Sequence, residues 1–269
     1  MVDAGVTHVV CEITAHALDQ FRYYGCNFEV SVITNTSHEH LDYFRDMQHY
    51  IETKSLIFSH SKISILNRDD ASYQIIKHNL GNKPYLTYGI EHKSDYQAKK
   101  INLDKNSLTF NLNSLKIKTD SLYYYQIYNI LAAFAIIDQL KINPEYALEV
   151  VKNFPNTKGR REEVVNQLDI LALIDFAHTP NAIKNTLSSL HQVRQGRILT
   201  IFGATGGRDQ TKRPIMGSVV SQLADIAFVT ADDTRNEDID KINQQIISGI
   251  SRNSVLIDDK QPLSEIKKI

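Results

Sequence analysis

Eight consecutive residues, Asn35-Thr-Ser-His-Glu-His40-Leu-Asp42, place two imidazoles and two carboxylates within reach of one another. Glu12 lies upstream, and Lys54 follows His40 by fourteen residues. A carboxylate plus a neutral imidazole is a workable but incomplete shell for Mg2+, so Glu12 and His40 could share a cation if adjacent strand ends bring them together. Lys54 has Ile51, Leu56, Ile57 and Phe58 as neighbours. A lysine on such a face must snorkel out, pair, or change its chemistry. The same residues also read as loop caps and surface polar groups, and for His16 and His38 capping is the simpler role.

Three further segments carry polar groups just after apolar runs. Asp175 ends the run Leu171-Ala-Leu-Ile and is followed by Phe-Ala-His178-Thr-Pro180; its carboxylate could accept hydrogen bonds from ribose hydroxyls or cap a helix. The loop Gly203-Ala-Thr-Gly-Gly-Arg-Asp-Gln-Thr-Lys-Arg213 offers backbone amides and three cations to a phosphate or carboxylate. No Ser or Thr follows Lys212 and no GxGxxG occurs, so the chain shows no recognisable triphosphate cradle. Arg235, among Asp232, Asp233, Glu237 and Asp238, could grip the carboxylate of a zwitterionic amino acid; a solvated turn with local ion pairs explains it equally.

The elements that must position these groups follow from periodicity. Thr7 to Ile13, Val30 to Asn35 and Ile63 to Asn67 are β-branched runs alternating with helical segments at 15–22, 46–58 and 69–79, a βα rhythm. Residues 85–119 read as consecutive strands with polar turns, an antiparallel excursion on a parallel sheet. Helices are expected at 124–140 and 144–153, the second opening on Pro144. Phe154-Pro-Asn-Thr-Lys-Gly159 breaks the pattern and is the candidate linker. Strands at 170–176, 197–203, 226–231 and 254–258 then alternate with helices near 180–193, 213–223 and 238–250, the rhythm of a doubly wound sheet, and the last residues read as the start of another helix. The fold class is α/β, divided at 1–155 and 156–269.

Composition sets outer limits. A chain of 269 residues, 42% of them hydrophobic, can fill one large core or two ordinary ones, which excludes disorder and collagen. Thirty Lys and Arg against 31 Asp and Glu leave a net charge of −1, so nothing in the balance advertises nucleic acid or a membrane surface. Cys11 and Cys26 cannot make a disulfide framework, and a reduced, cytoplasmic setting fits. No apolar run approaches a membrane span, and the N-terminus lacks the basic and apolar regions of a signal peptide.

Taken together, these segments resemble the Mur ligases, in ordered motifs that cover nearly the whole chain. Glu12-Ile-Thr14-Ala-His16-Ala-Leu with Gln20 and Arg22 is similar to the family's EVSSHAL followed by Q and R. Thr34-Asn-Thr-Ser-His-Glu-His40-Leu-Asp-Tyr43 resembles TNLTxDHLDYH, and Tyr50-Ile-Glu-Thr-Lys54-Ser-Leu-Ile-Phe58 resembles YxxAKxxLF. Asn129-Ile-Leu-Ala-Ala133, Gly159-Arg160-Arg-Glu162, Asp175-Phe-Ala-His178-Thr-Pro180 and the glycine loop through Gly217 are similar to NxxAA, GRME, DYAHTP and GGDRDxxKRPxMG. The branch most resembled adds the third amino acid to UDP-N-acetylmuramoyl-L-alanyl-D-glutamate.

The resemblance implies a partial central domain followed by a partial Rossmann-like C-terminal domain, and an ATP-dependent amide ligation through an acyl phosphate in cytoplasmic peptidoglycan precursor synthesis. It assigns ATP and Mg2+ as cofactors and a UDP-muramoyl dipeptide and an amino acid as substrates. It implies magnesium held by Glu12, His40 and a carbamylated Lys54. Thr14, Gln20 and Arg22 would contact the UDP-muramoyl peptide. Asn129, Arg160, Asp175 and His178 would serve the adenine, phosphate or ribose side, and Arg208, Asp232, Asp233 and Arg235 would read the incoming amino acid.

The chain departs from the diaminopimelate-adding DNPR pattern, carrying Asp232-Asp-Thr-Arg235. The extra carboxylate of Asp233 favours a cationic substrate group, so lysine or another diamine stays open beside diaminopimelate. Ala15, Glu39 and Gly207 are milder departures. The family's opening phosphate loop and closing elements are not among the matches, which leaves a separate chain carrying those regions, an inactive fragment or non-catalytic binding module, and a folylpolyglutamate synthase-like ligase as alternatives.

Overall fold

The computed structural model describes residues 2–104, 107–120, 123–154, 157–230 and 232–251, and the backbone of 255–258. From the N-terminus the elements are α1 (Ala15–Asp19), β1 (Phe28–Ile33), α2 (Met47–Ser55), β2 (Ser61–Asn67), α3 (Tyr73–Leu80), β3 (Tyr85–Gly89), β4 (Tyr96–Leu103), β5 (Leu108–Leu112), β6 (Leu115–Thr119), α4 (Gln126–Gln139) and α5 (Pro144–Lys152). Their strands form one sheet in the order β1-β2-β3-β4-β5-β6. β1, β2 and β3 are parallel, β4 joins them parallel through Tyr88↔Tyr96, and β4 to β6 continue antiparallel. This is the antiparallel excursion the turn-rich stretch 85–119 called for.

Helices cover both faces of that sheet. α4 turns Ile127, Leu131, Phe134 and Ala135 inward at helical spacing and packs them on Ile65, Tyr88, Phe110 and Ile117. On the other face Leu18, Ile51 and Ile76 from α1, α2 and α3 bury against Ile33 and Leu66.

Beyond residue 157 come β7 (Arg160–Val164), β8 (Ala172–Asp175), α6 (Pro180–Val193), β9 (Leu199–Phe202), α7 (Lys212–Leu223), β10 (Ile226–Val229), α8 (Ile239–Ile247) and β11 (Val255–Asp258). β9, β10 and β11 form a parallel sheet in the order β11-β10-β9. Ile183, Leu187, Met216, Val220, Ile242 and Ile246 fill its separate core. No described helix is long and apolar enough to cross a membrane.

Four expectations change. Residues 7–13 form no strand; Val6, Val9 and Val10 are exposed, Val10 completely, because β-branched residues make a strand only where a neighbouring edge pairs with them. The helix expected over 46–58 stops at Ser55 and becomes a 3-10 turn at Leu56–His60, where Thr53 and Ser55 donate their hydroxyls back to His49 O and Ile51 O. β8 does not extend the parallel sheet; it pairs antiparallel with β7, which periodicity had assigned to no element. The hairpin leaves Val165, Leu168 and Leu171 in solvent. Pro155 and Asn156 of the expected linker, and the helix start expected at the C-terminus, lie outside the described residues.

Candidate active site

The carboxyl ends of β1, β8, β9 and β10 face a common cleft of about 580 Å³, the place where open α/β sheets gather ligands. Of the residues singled out in the sequence, His40, Asp175, His178, Arg208, Asp232, Asp233 and Arg235 line it. His40 and Arg235 hold left-handed backbone angles, φ 63° and 50°, conformations that non-glycine residues keep only when the surroundings enforce them.

Glu39 is the hub. His178 Nε2 lies 2.8 Å from Glu39 Oε1, Lys212 Nζ lies 3.7 Å from the same oxygen, and His40 Nε2 lies 3.7 Å from Oε2. Burial pushes the Glu39 carboxyl up, but the hydrogen bond from His178 and the charges of His178, His40 and Lys212 outweigh it and hold the group at about 2. The hydrogen bond to Glu39 raises His178 against the opposing effect of burial, while burial lowers His40. Alongside this cluster, His38 Nε2 meets Thr211 Oγ1 at 2.8 Å and Asp209 Oδ2 at 3.3 Å, and Arg208 reaches Asp42 at 3.8 Å. Sequence reasoning placed Glu39 only as a substitution and Lys212 only as a loop cation. The signal that could have found Glu39 is its position between two imidazoles.

The glycine loop and the Asp232–Glu237 segment are tied to each other from below. Arg213, with no exposed surface, donates both terminal nitrogens to Glu237 at 2.8 Å, and also bonds Gln245 Oε1 at 2.5 Å and Thr205 O at 3.2 Å. Glu237 accepts the Gly207 amide as well, and the Arg213 hydrogen bond holds its carboxyl at about 2. Gly206 must be glycine, since a Cβ there would stand 1.9 Å from Thr234 O. Above this brace Thr205 donates to Asp232 at 2.8 Å, and Arg235 Nε lies 3.6 Å from Asp233 Oδ2.

Asp175 accepts the Thr186 hydroxyl at 2.8 Å and faces Arg161 Nε at 3.5 Å. Arg161 had drawn no attention in the sequence, yet it is buried, has φ 52°, and lies 3.3 Å and 4.1 Å from the ring centres of Tyr123 and Tyr125. Arg160 is exposed and rests on the Phe176 ring at 4.5 Å.

The remaining sequence candidates lie outside the cleft lining. Lys54 donates to Asn35 O at 3.0 Å and sits 5.3 Å from the Tyr50 ring centre. Burial lowers its pKa, opposed by the carboxylates of Asp70, Glu39 and Glu12. Glu12 is exposed. Among the described residues no three His, Cys, Asp or Glu side chains converge on a metal position; an ammonium repels cations, so Glu12, His40 and Lys54 fit Mg2+ only if the lysine becomes an oxygen donor. Thr14 caps α1 by accepting the Ala17 amide at 3.2 Å, Arg22 donates to Gln20 at 2.5 Å, and exposed Asn129 donates to Gln126 at 2.7 Å.

Comparison with known proteins adds a lineage to this geometry. The family model described as the Mur ligase middle domain matches residues 1–137, and the one described as the Mur ligase, glutamate ligase domain matches 159–267. A UDP-N-acetylmuramoyl-L-alanyl-D-glutamate–2,6-diaminopimelate ligase from Thermosynechococcus vestitus is 34% identical over 265 residues, covering 95% of this chain and 53% of its own length. The ligase of the same name from a Nostoc species is 36% identical over 259 residues, covering 93% of this chain and 52% of its own. A solved structure of another ligase of that name has a TM-score of 0.63 at 27% identity over 96% of this chain and 55% of its own. A pseudomurein peptide ligase type C from Methanothermus fervidus, TM-score 0.71 at 20% identity over 92% of this chain and 55% of its own, shares the fold. The chain thus spans about half the length of the curated relatives it matches. With both halves of the cleft matched in order, the chain belongs to the Mur ligase family.

Proposed function

We propose that this chain forms the central domain, 1–155, and the C-terminal domain, 156–269, of an ATP-dependent ligase that joins an amino acid to UDP-N-acetylmuramoyl-L-alanyl-D-glutamate in cytoplasmic peptidoglycan precursor synthesis, and so serves cell-wall biogenesis, shape and division. The observation that carries this reading is the cleft itself, in which the strand ends around His40 face those around Asp175, Arg208 and Arg235. The regions that relatives carry beyond the matched half complete the enzyme, in one polypeptide or as a separate chain.

Glu12, His40 and Lys54 would hold Mg2+ once the Lys54 amine has added to CO2, forming an N–C bond and releasing a proton. Its lowered pKa supplies the neutral amine that addition needs. Bound Mg2+ would offset the repulsion between the two anions that must meet, the ATP phosphate and the D-glutamyl carboxylate. Asp175 would hold the ribose, with Asn129, Arg160 and His178 on the nucleotide side. Thr14, Gln20 and Arg22 would meet the UDP-muramoyl peptide. Arg208 and Arg235 would orient the incoming amino acid by its carboxylate, and Asp232 and Asp233 would attract its ammonium.

The test is ADP release by the complete ligase, assembled with the regions its relatives carry. Release should require the UDP-muramoyl dipeptide and a diamine such as lysine or diaminopimelate. Lys54→Ala should lower it about a hundredfold or more, with partial recovery in short carboxylates. Turnover of glutamate on a folate in place of these substrates, or an unimpaired Lys54→Ala enzyme, would overturn the proposal.

A further inference from the structure

Lys212 opens α7, a helix of twelve residues, with its side chain only 7% exposed, and it lines the cleft. Its ammonium has no hydrogen-bond acceptor among the described residues; Glu39 Oε1, at 3.7 Å, is its one ion pair. A nearly buried ammonium normally satisfies its three donors. Here those donors are left to the cleft, at a helix N-terminus whose dipole favours negative charge.

His178 faces the same point with a second cation. Its Nδ1 lies 2.8 Å from the Phe176 carbonyl and its Nε2 lies 2.8 Å from Glu39 Oε1. Both partners are acceptors, so both ring nitrogens must donate, and the ring is an imidazolium. His40 Nε2 approaches the other Glu39 oxygen at 3.7 Å. Three basic groups from three segments of the chain therefore surround one carboxylate, and two of them stand beyond hydrogen-bond length from it. The fit is loose for a planar carboxylate. A tetrahedral oxyanion, with a third and fourth oxygen to share, would satisfy all three.

We propose that His40, His178 and Lys212 form a binding site for a phosphate-type oxyanion, and that the Glu39 carboxylate occupies this site as a competing internal anion when no phosphate is there. Glu39 then acts as a plug that an incoming phosphate must displace, and the plug leaves on the side chain's own rotamers. The site's existence does not depend on the ligation reaction proposed above, because it concerns only which anion the three basic groups hold.

The experiment titrates the chain itself with inorganic phosphate and, separately, with AMP, by isothermal calorimetry at neutral pH and low salt. Glu39→Gln removes the competing charge and keeps the shape; Glu39→Ala is measured beside it, with circular dichroism to confirm folding. Both variants should bind phosphate at least about tenfold more tightly than the parent chain, as expected when a charge-assisted competitor is removed. Adding Lys212→Met to Glu39→Gln should abolish the gain. A gain for inorganic phosphate assigns a free anion, and a gain confined to AMP assigns a phosphate carried by an ester. No gain for either titrant, or a gain that persists without Lys212, overturns the proposal.

Discussion

Replacing Arg213 with Met tests the brace under the amino-acid side of the cleft. Arg213 has no exposed surface and bonds Glu237 twice, Gln245 once and Thr205 O once. Methionine matches the stem in volume but leaves Glu237 with only the Gly207 amide, Gln210 and the distant Lys241. Breaking a buried ion pair from one side costs about 3–5 kcal/mol, most of it the stranded partner's lost solvation. Glu237 keeps some solvent access, 12% of its side chain, which places the expected loss near the lower end, about 3 kcal/mol. At about 2–4 °C per kcal/mol for a chain of this size, Tm should fall by roughly 6–12 °C. The assay is thermal and urea unfolding of Arg213→Met, Glu237→Leu and the double variant. If the pair accounts for the loss, the double variant should be more stable than the sum of the single losses implies, by about 1 kcal/mol or more. A Tm change under 2 °C, or strictly additive losses, would refute the reasoning.

Three further outcomes follow from the same contacts. The Glu237 carboxyl is held at about 2 against an ordinary 4.5, so its stabilisation is complete above pH 4.5 and is lost as pH falls toward 2; Glu237→Gln should flatten the acid limb of a stability-against-pH curve over that window. Gly206→Ala would drive a methyl into Thr234 O, and chemical denaturation should register a loss of at least about 2 kcal/mol. Arg161→Met removes the cation between Tyr123 and Tyr125 and the partner of Asp175; a melt followed by near-ultraviolet tyrosine dichroism should show a lower midpoint and a weakened native signal, whereas Arg160→Met, at an exposed position, should change the midpoint by less than about 1 kcal/mol.

Much of this architecture was legible because it rests on local rules. The inward stripe of α4 and the parallel order of β1, β2 and β3 announce themselves in periodicity. So did the gathering of His40, Asp175, His178 and Arg235, since strand ends converge in open sheets whatever their sequence. What escaped depends on partners distant in the chain. Residues 7–13 have the composition of a strand but no neighbouring edge, and β7 is a charged segment that becomes a strand only because β8 pairs with it. Glu39 and Arg161 look ordinary until residues 139 positions away and a pair of tyrosines give them their roles. Thr14 shows the converse: a residue in a motif can be engaged locally, here as a helix cap.

The contacts described across the cleft, His178 to Glu39, His38 to Thr211 and Arg208 to Asp42, join charges and hydroxyls, and no hydrophobic cluster among the described residues draws on both sheets. Heat-capacity changes track apolar surface exposed to water, so parting the two halves should carry almost none. The opening of the cleft is then governed by ionic strength far more than by temperature: dissolved salt, competing for the same charges, sets how often the two sheets stand apart.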